Sequence, residues 1–250
     1  MVKIREWLDK ICEKNERWDM KSVDRSFDQE RVRVYLVGHN DKDTKNIIEK
    51  IRYIPFETFK KELLLQVAKL PPKFNIFFCT GKWGSENWIT VLVWNYIREG
   101  VQQIITNYDK PVSNNYPVVL IDDCIYSGVN MCSRVDDLRD TKTIEKDHPV
   151  ICVVPYRSRD GIIQLISEYG PVEVYCDNVV DPIFGKCDFE RIYSKIGCET
   201  CNVIPIYFDH KIANEFGSFP FIYPLLVKNL PSREKIEELK HEYEMILFFM

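Results

Sequence analysis

No stretch of this chain approaches the ~18 consecutive apolar residues that a helix needs to cross a bilayer, so a helical membrane span is not expected. Nor is there a surplus of positive charge. Lys and Arg number 34 against 38 Asp and Glu, a net charge of −4, with a pI of about 5.7. General binding to nucleic acid or to an anionic membrane surface is therefore disfavoured, while a local basic pocket stays open. The N-terminal stretch MVKIREWLDKICEKNERW is charged throughout and lacks the apolar run of an export signal, so a cytoplasmic location is expected. Internal repeats, low-complexity tracts and Gly/Ser linkers are also missing, which argues against a repeat array or a tethered pair of modules.

A complete zinc signature is missing as well. Cys198 and Cys201 form a CxxC pair in GCETC, with Cys187, Cys176 and His210 nearby in sequence. A second pair at regular spacing, which a four-ligand site needs, is absent. The nine cysteines are an odd number. Without an export signal they are expected mainly as reduced thiols, packed as small hydrophobes, with zinc at Cys187, Cys198 and Cys201 left as the alternative.

What is present is the composition of a globular protein. Of the 250 residues, 45% are apolar and 29% charged, enough for one large domain or two small ones. Residues 2–16 place Ile4, Trp7, Leu8 and Ile11 on one helical face. Residues 31–37, RVRVYLV, alternate like a half-buried strand. Residues 55–70 put Phe56, Phe59, Leu63, Val67 and Leu70 at helical spacing, with Pro55 near the start and Pro71-Pro72 as a stop. Strands are predicted at 74–79, 117–121, 149–155, 171–177 and 203–208. Helices are predicted from Ser85, over 129–139, over 159–169 and from Ser232 onward, with a linking segment before Asn115. Short apolar strands alternating with amphipathic helices predict an α/β fold, its mostly parallel sheet flanked by helices on both faces. Ligands in such sheets collect at the carboxyl ends of strands. Three stretches fall there: Thr80–Gly84, Asp122–Asn130 and Tyr207–His210.

The middle one is the most informative. In PVVLIDDCIYSGVN, a buried run ends in Asp122 and Asp123, and four residues later comes Ser127-Gly128. Two adjacent carboxylates repel each other unless hydrogen-bond donors or cations satisfy them. Sugar hydroxyls, or a magnesium ion with its waters, do this well. Ser127 to Asn130 supply successive backbone N–H groups just before a helix, an arrangement suited to an anion. Acids for hydroxyls and amides for phosphate suit a ribose 5-phosphate.

This stretch resembles the signature of the type I phosphoribosyltransferases, which bind 5-phosphoribosyl 1-pyrophosphate (PRPP). The matching features are the strand, both acids, the Ser127-Gly128 centre and the length. Asn130 stands where the family commonly has Thr or Ser, and Tyr126 where purine-salvage members often have Asp. The resemblance extends more loosely over residues 50–230. It implies that Asp122 and Asp123 are the catalytic acids, holding the ribose hydroxyls. Tyr126, Ser127, Gly128, Val129 and Asn130 would form the PRPP phosphate turn. Thr80, Gly81, Lys82 and Gly84 in TGKWG would form the pyrophosphate loop; the stretch is not a Walker A loop. Tyr156, Phe208 and Asp209 would meet the base, although Tyr156 replaces the family's Lys and no Arg follows Asp209 in NEFGSFP.

The layout so implied is an N-terminal helix and strand extension (1–49), a phosphoribosyltransferase-like core (50–230) with a hood around 178–225, and a C-terminal amphipathic helix (231–250). The implied activity is transfer of a phosphoribosyl group from PRPP to a nitrogenous base, with Mg2+ held through PRPP and waters rather than directly by side chains. A nucleoside monophosphate is the companion ligand, and a homodimer is a candidate assembly. The alternative is a non-catalytic sensor of PRPP or nucleotide, or an interaction protein, on the same fold. His148 and His210 read as structural or surface residues, and Asp136-Asp137 as a solvated helix face.

Overall fold

The structure is a computed structural model that describes residues 2–14, 52–78, 85–106, 111–113, 115–126, 128–159, 171–181, 206–208, 238 and 240–241. The elements in chain order are α1 (Val2–Lys14), β1 (Arg52–Ile54), α2 (Phe56–Val67), β2 (Phe74–Phe77), α3 (Ser85–Ile97), β3 (Val101–Ile105) and β4 (Val118–Ile121). They continue with α4 (Val129–Asp140), β5 (Val150–Val153), β6 (Tyr156–Ser158), β7 (Val172–Tyr175), β8 (Asn178–Val180) and β9 (Ile206–Phe208).

Five strands form the central sheet in the order β3-β2-β4-β5-β7, and every pairing is parallel. The register sets Asn75 beside Val118, Val118 beside Val150 and Val150 beside Val172. Side chains of a strand alternate between its two faces, so each strand divides its apolar residues between two cores. Ile76, Phe78, Val119, Ile121, Ile151 and Val153 belong to one core, shared with α1, α2 and α3. Phe77, Val118, Leu120, Val150, Cys152 and Val154 belong to the other, covered by Met131, Cys132, Val135 and Leu138 of α4. Helices thus cover both faces, which is why the central strands β4 and β5 are apolar without interruption.

The helix predictions hold at their apolar faces. Ile4, Trp7, Leu8 and Ile11 of α1 are all buried. The helix sits on α3: the Trp94 indole N–H donates to Asp9 at 2.7 Å, and Arg5 donates to the Arg98 carbonyl at 3.1 Å. In α2, Phe56, Phe59, Leu63 and Val67 are buried, with Pro55 at the N-cap and Ala68 closing the last turn. Proline suits the entry because its missing N–H would have no helical partner there. The Pro71-Pro72 pair follows the helix end and prevents its continuation.

One expectation is corrected. The region before Asn115, read as a linking segment, contains strand β3. It lies at the sheet edge with β2 as its neighbour. An edge strand tolerates polar residues, and the exposed Gln102 and half-buried Gln103 interrupt the apolar pattern. The close approach at its start requires glycine: a Cβ on Gly100 would lie 2.7 Å from Phe74 Cε1. Two further parallel pairs, β1-β9 and β6-β8, are built from strands of three residues each.

The strand predicted at 31–37 lies outside the described residues, as does the helix predicted at 159–169 beyond Arg159. The C-terminal helix is seen as helical at residues 238, 240 and 241. Of the stretch expected to form a hood, 178–225, the structure describes residues 178–181 and 206–208. Cys187, Cys198, Cys201 and His210 lie outside the described residues, and Cys176 is a half-buried free thiol. Among the described residues no helix is long and apolar enough to cross a membrane.

Candidate functional site

Within the sheet β2 and β4 are neighbours, but their onward connections diverge. The chain runs from β2 through α3 to β3 on one side, and from β4 through α4 to β5 on the other. In doubly wound sheets it is at such a divergence, by the carboxyl ends of the two strands, that a crevice for ligands forms. Asp122 follows β4 directly, and Ser85 opens α3 after β2. These two residues flank that position.

The two acids differ in environment. Asp122 is partly accessible, whereas Asp123 is fully buried. Asp122 Oδ1 accepts two hydrogen bonds, from Ser85 Oγ at 2.6 Å and from the Asp123 backbone N–H at 2.8 Å. Together these donors fix the carboxylate and offset the cost of holding charge beside a sheet. The backbone beneath is held as well. Asp122 N–H donates to the Val153 carbonyl at 3.1 Å. Ile125 N–H donates to the Tyr156 carbonyl at 3.1 Å and the Ile125 carbonyl accepts from Ser158 N–H at 2.8 Å, tying the segment after the acids to β6.

The turn then enters α4. Gly128 caps the helix with φ 87° and ψ −18°, the left-handed region that a residue without Cβ adopts cheaply. It offers no side-chain cap, and the next two residues, Val129 and Asn130, are exposed. Gly128 itself is buried, so the helix start reaches the surface at Val129 and Asn130, at the end where the dipole favours an anion. Ser127 lies outside the described residues. Tyr126 is buried in the same core as α2 and α3, so its ring does not take part in the turn surface. A second tie joins the two helices: Arg134 of α4 pairs with Glu86 of α3 at 2.8 Å, with both side chains mostly buried.

Thr80, Gly81, Lys82 and Gly84 lie outside the described residues, as does Asp209. Tyr156 and Phe208 are described, and both are core residues. Phe208 is 0% exposed, its ring centroid 5.2 Å from Phe59 and 5.7 Å from Tyr156. Tyr156 is buried, and burial first, then Glu62 and two neighbouring thiols, pushes its hydroxyl up to about 12. In this arrangement neither ring presents a face for stacking on a base. Next to Tyr156, the Arg157 Nε is buried without a hydrogen-bond partner among the described residues. Arg159 pairs with Asp181 at 2.7 Å on the surface, where such a pair contributes little. Among the described residues no three His, Cys, Asp or Glu side chains gather as a metal cage.

Sequence reasoning did not single out Ser85, Glu86 or Arg134. A hydroxyl residue opening a helix after a strand-end loop is a weak signal. It gains meaning once the strand order brings β2 beside β4, and that order is not written in any local pattern.

No family model matches this chain, and no curated protein matches it. Solved structures give looser likenesses. A hypothetical protein from Neisseria gonorrhoeae with bound ppGpp is 10% identical with a TM-score of 0.39, over 70% of this chain and 97% of that one. A purine phosphoribosyltransferase from Pyrococcus horikoshii Ot3 is 12% identical with a TM-score of 0.34, over 53% of this chain and 93% of that one. A hypoxanthine-guanine-xanthine phosphoribosyltransferase is 13% identical with a TM-score of 0.30, over 55% and 75%.

Proposed function

We propose that the crevice between β2 and β4 binds a 5-phosphorylated pentose, and that its substrate form is PRPP with Mg2+. The carrying observation is the pairing of an accessible, doubly hydrogen-bonded Asp122 with a glycine-capped, solvent-facing start of α4 at the divergence of the sheet. Asp122 accepts hydrogen bonds from the ring hydroxyls, and Asp123 supports it from below through its backbone N–H. Amides from Ser127 to Asn130 hold the 5-phosphate, and Thr80 to Gly84, with the charge of Lys82, face the pyrophosphate.

The reaction is phosphoribosyl transfer. The bond from the anomeric carbon to the pyrophosphate oxygen breaks, a nitrogen of the base forms the new bond to that carbon, and the nitrogen's proton passes to solvent. Mg2+ supplies charge neutralisation on the departing pyrophosphate. In this reading the ion would be carried in by the diphosphate and its waters. The chain's contribution is to position the sugar and to surround the developing anion with fixed donors.

One observation favours a second reading, in which the protein senses PRPP or a nucleoside monophosphate without turnover. The aromatics expected at the base, Tyr156 and Phe208, are engaged in the core. Titration calorimetry with PRPP and MgCl2, followed by an assay for pyrophosphate release with a panel of purine and pyrimidine bases, separates the readings. Binding with release supports transfer, and binding without release supports sensing. No binding contradicts both.

A further inference from the structure

The residue that opens α3 has no assigned part so far. Ser85 comes from the β2 side of the crevice, yet its hydroxyl donates to Asp122 Oδ1 across it at 2.6 Å. The same oxygen accepts the Asp123 N–H at 2.8 Å. Two donors converging on one oxygen, one from a side chain and one from the backbone, fix the plane of the carboxylate. Fixing matters because a carboxylate selects hydroxyls by direction as much as by charge. Ser85 is itself held by its place in the first turn of α3. The adjacent Glu86 accepts a hydrogen bond from Arg134 of α4 at 2.8 Å and, through its backbone carbonyl, one from Thr90 at 2.7 Å. The hydroxyl therefore rests on a braced helix end.

We infer that Ser85 is a positioning residue that sets the selectivity of the site for a pentose bearing its ring hydroxyls, acting through Asp122. This rests on the proposed pentose-phosphate reading and adds to it a residue on the opposite wall. A hydroxyl lost from the ligand and a hydroxyl lost from position 85 should then be felt at the same carboxylate. Their effects should overlap rather than add.

The test compares ribose 5-phosphate with 2-deoxyribose 5-phosphate by titration calorimetry on the wild-type chain, Ser85→Ala and Ser85→Thr. The wild type should prefer the ribose form by about tenfold or more, the size of a hydrogen bond to a charged group. Ser85→Ala should reduce that preference several-fold, mainly by weakening the ribose form, and Ser85→Thr should restore it. A general loss of folding would weaken both ligands together and leave their ratio unchanged, so the ratio reports positioning. If the wild type discriminates and Ser85→Ala discriminates equally, the role of Ser85 is overturned while the pentose site stands. If the wild type binds neither sugar phosphate, or binds both alike, the pentose-phosphate reading itself fails and the role of Ser85 fails with it.

Discussion

Gly128 shows how one backbone conformation serves both fold and site. At φ 87° a side chain would meet its own following carbonyl, at a cost of about 1–2 kcal/mol. Gly128→Ala should therefore lower the melting temperature by roughly 2–8 °C, taking about 2–4 °C per kcal/mol for a chain of this size. It should also weaken phosphate binding at the start of α4, and a thermal melt beside a calorimetric titration checks both. The acids illustrate what is legible residue by residue. Asp122, Asp123 and Gly128 stand out because charge at the end of an apolar run and a small residue before a helix are local anomalies. Ser85 does not stand out, since its partner lies 37 positions away. Phe208 was legible as a strand-end aromatic, but its burial against Phe59 depends on α2, far off in sequence.

At the scale of elements, α1 offers a clean separation of stability from binding. Its apolar face joins the core shared with α2 and α3, and Leu8 within it is fully buried. Leu8→Ala should cost about 2–5 kcal/mol, the usual loss for a buried leucine truncated in a packed core. The pentose-phosphate affinity of the folded fraction should stay as in the wild type, because α1 packs on α3 beside Trp94, away from the turn that carries Ser85. Denaturant unfolding and calorimetry together check this. Periodicity made α1, α2, α3 and α4 legible, and short apolar runs did the same for β4 and β5 and, around its single buried Asn75, for β2. It failed at β3, where Gln102 and Gln103 answer to an edge position rather than to a core. It failed again at β1, β6 and β8, because three residues are too few to show a period.

For the whole molecule, the three-layer arrangement leaves thiols and a phenol within or packed against the two cores. Burial pushes Cys12 and Cys176 up to about 11 and Tyr156 up to about 12. Each group is neutral when protonated, and the unfolded chain gives up these protons earlier, the thiols from about 9.0. The folded state thus binds more protons across that interval, and stability must fall as pH rises. Their contribution is fully present below about pH 9 and is lost progressively as pH rises through about 11. Denaturant unfolding at pH 8 and pH 10 should show the decline, and Cys12→Ala with Cys176→Ala should reduce it, part remaining because burial raises the Cys152 thiol as well. Strand order is likewise a whole-molecule property. Local patterns announced parallel strands and covering helices, but not that β2 and β4 would be neighbours with diverging connections. That adjacency brings Asp122, Ser85 and the start of α4 to the same end of the sheet.

The most direct measurement is calorimetric titration of PRPP with Mg2+ into the wild-type chain and into Asp122→Asn, with thermal melts confirming that both are folded. One saturable site on the wild type, weakened at least tenfold by a substitution that keeps the shape of the side chain and removes its charge, is the predicted result. Equal affinity in the two proteins, or no binding to the wild type, would contradict the account.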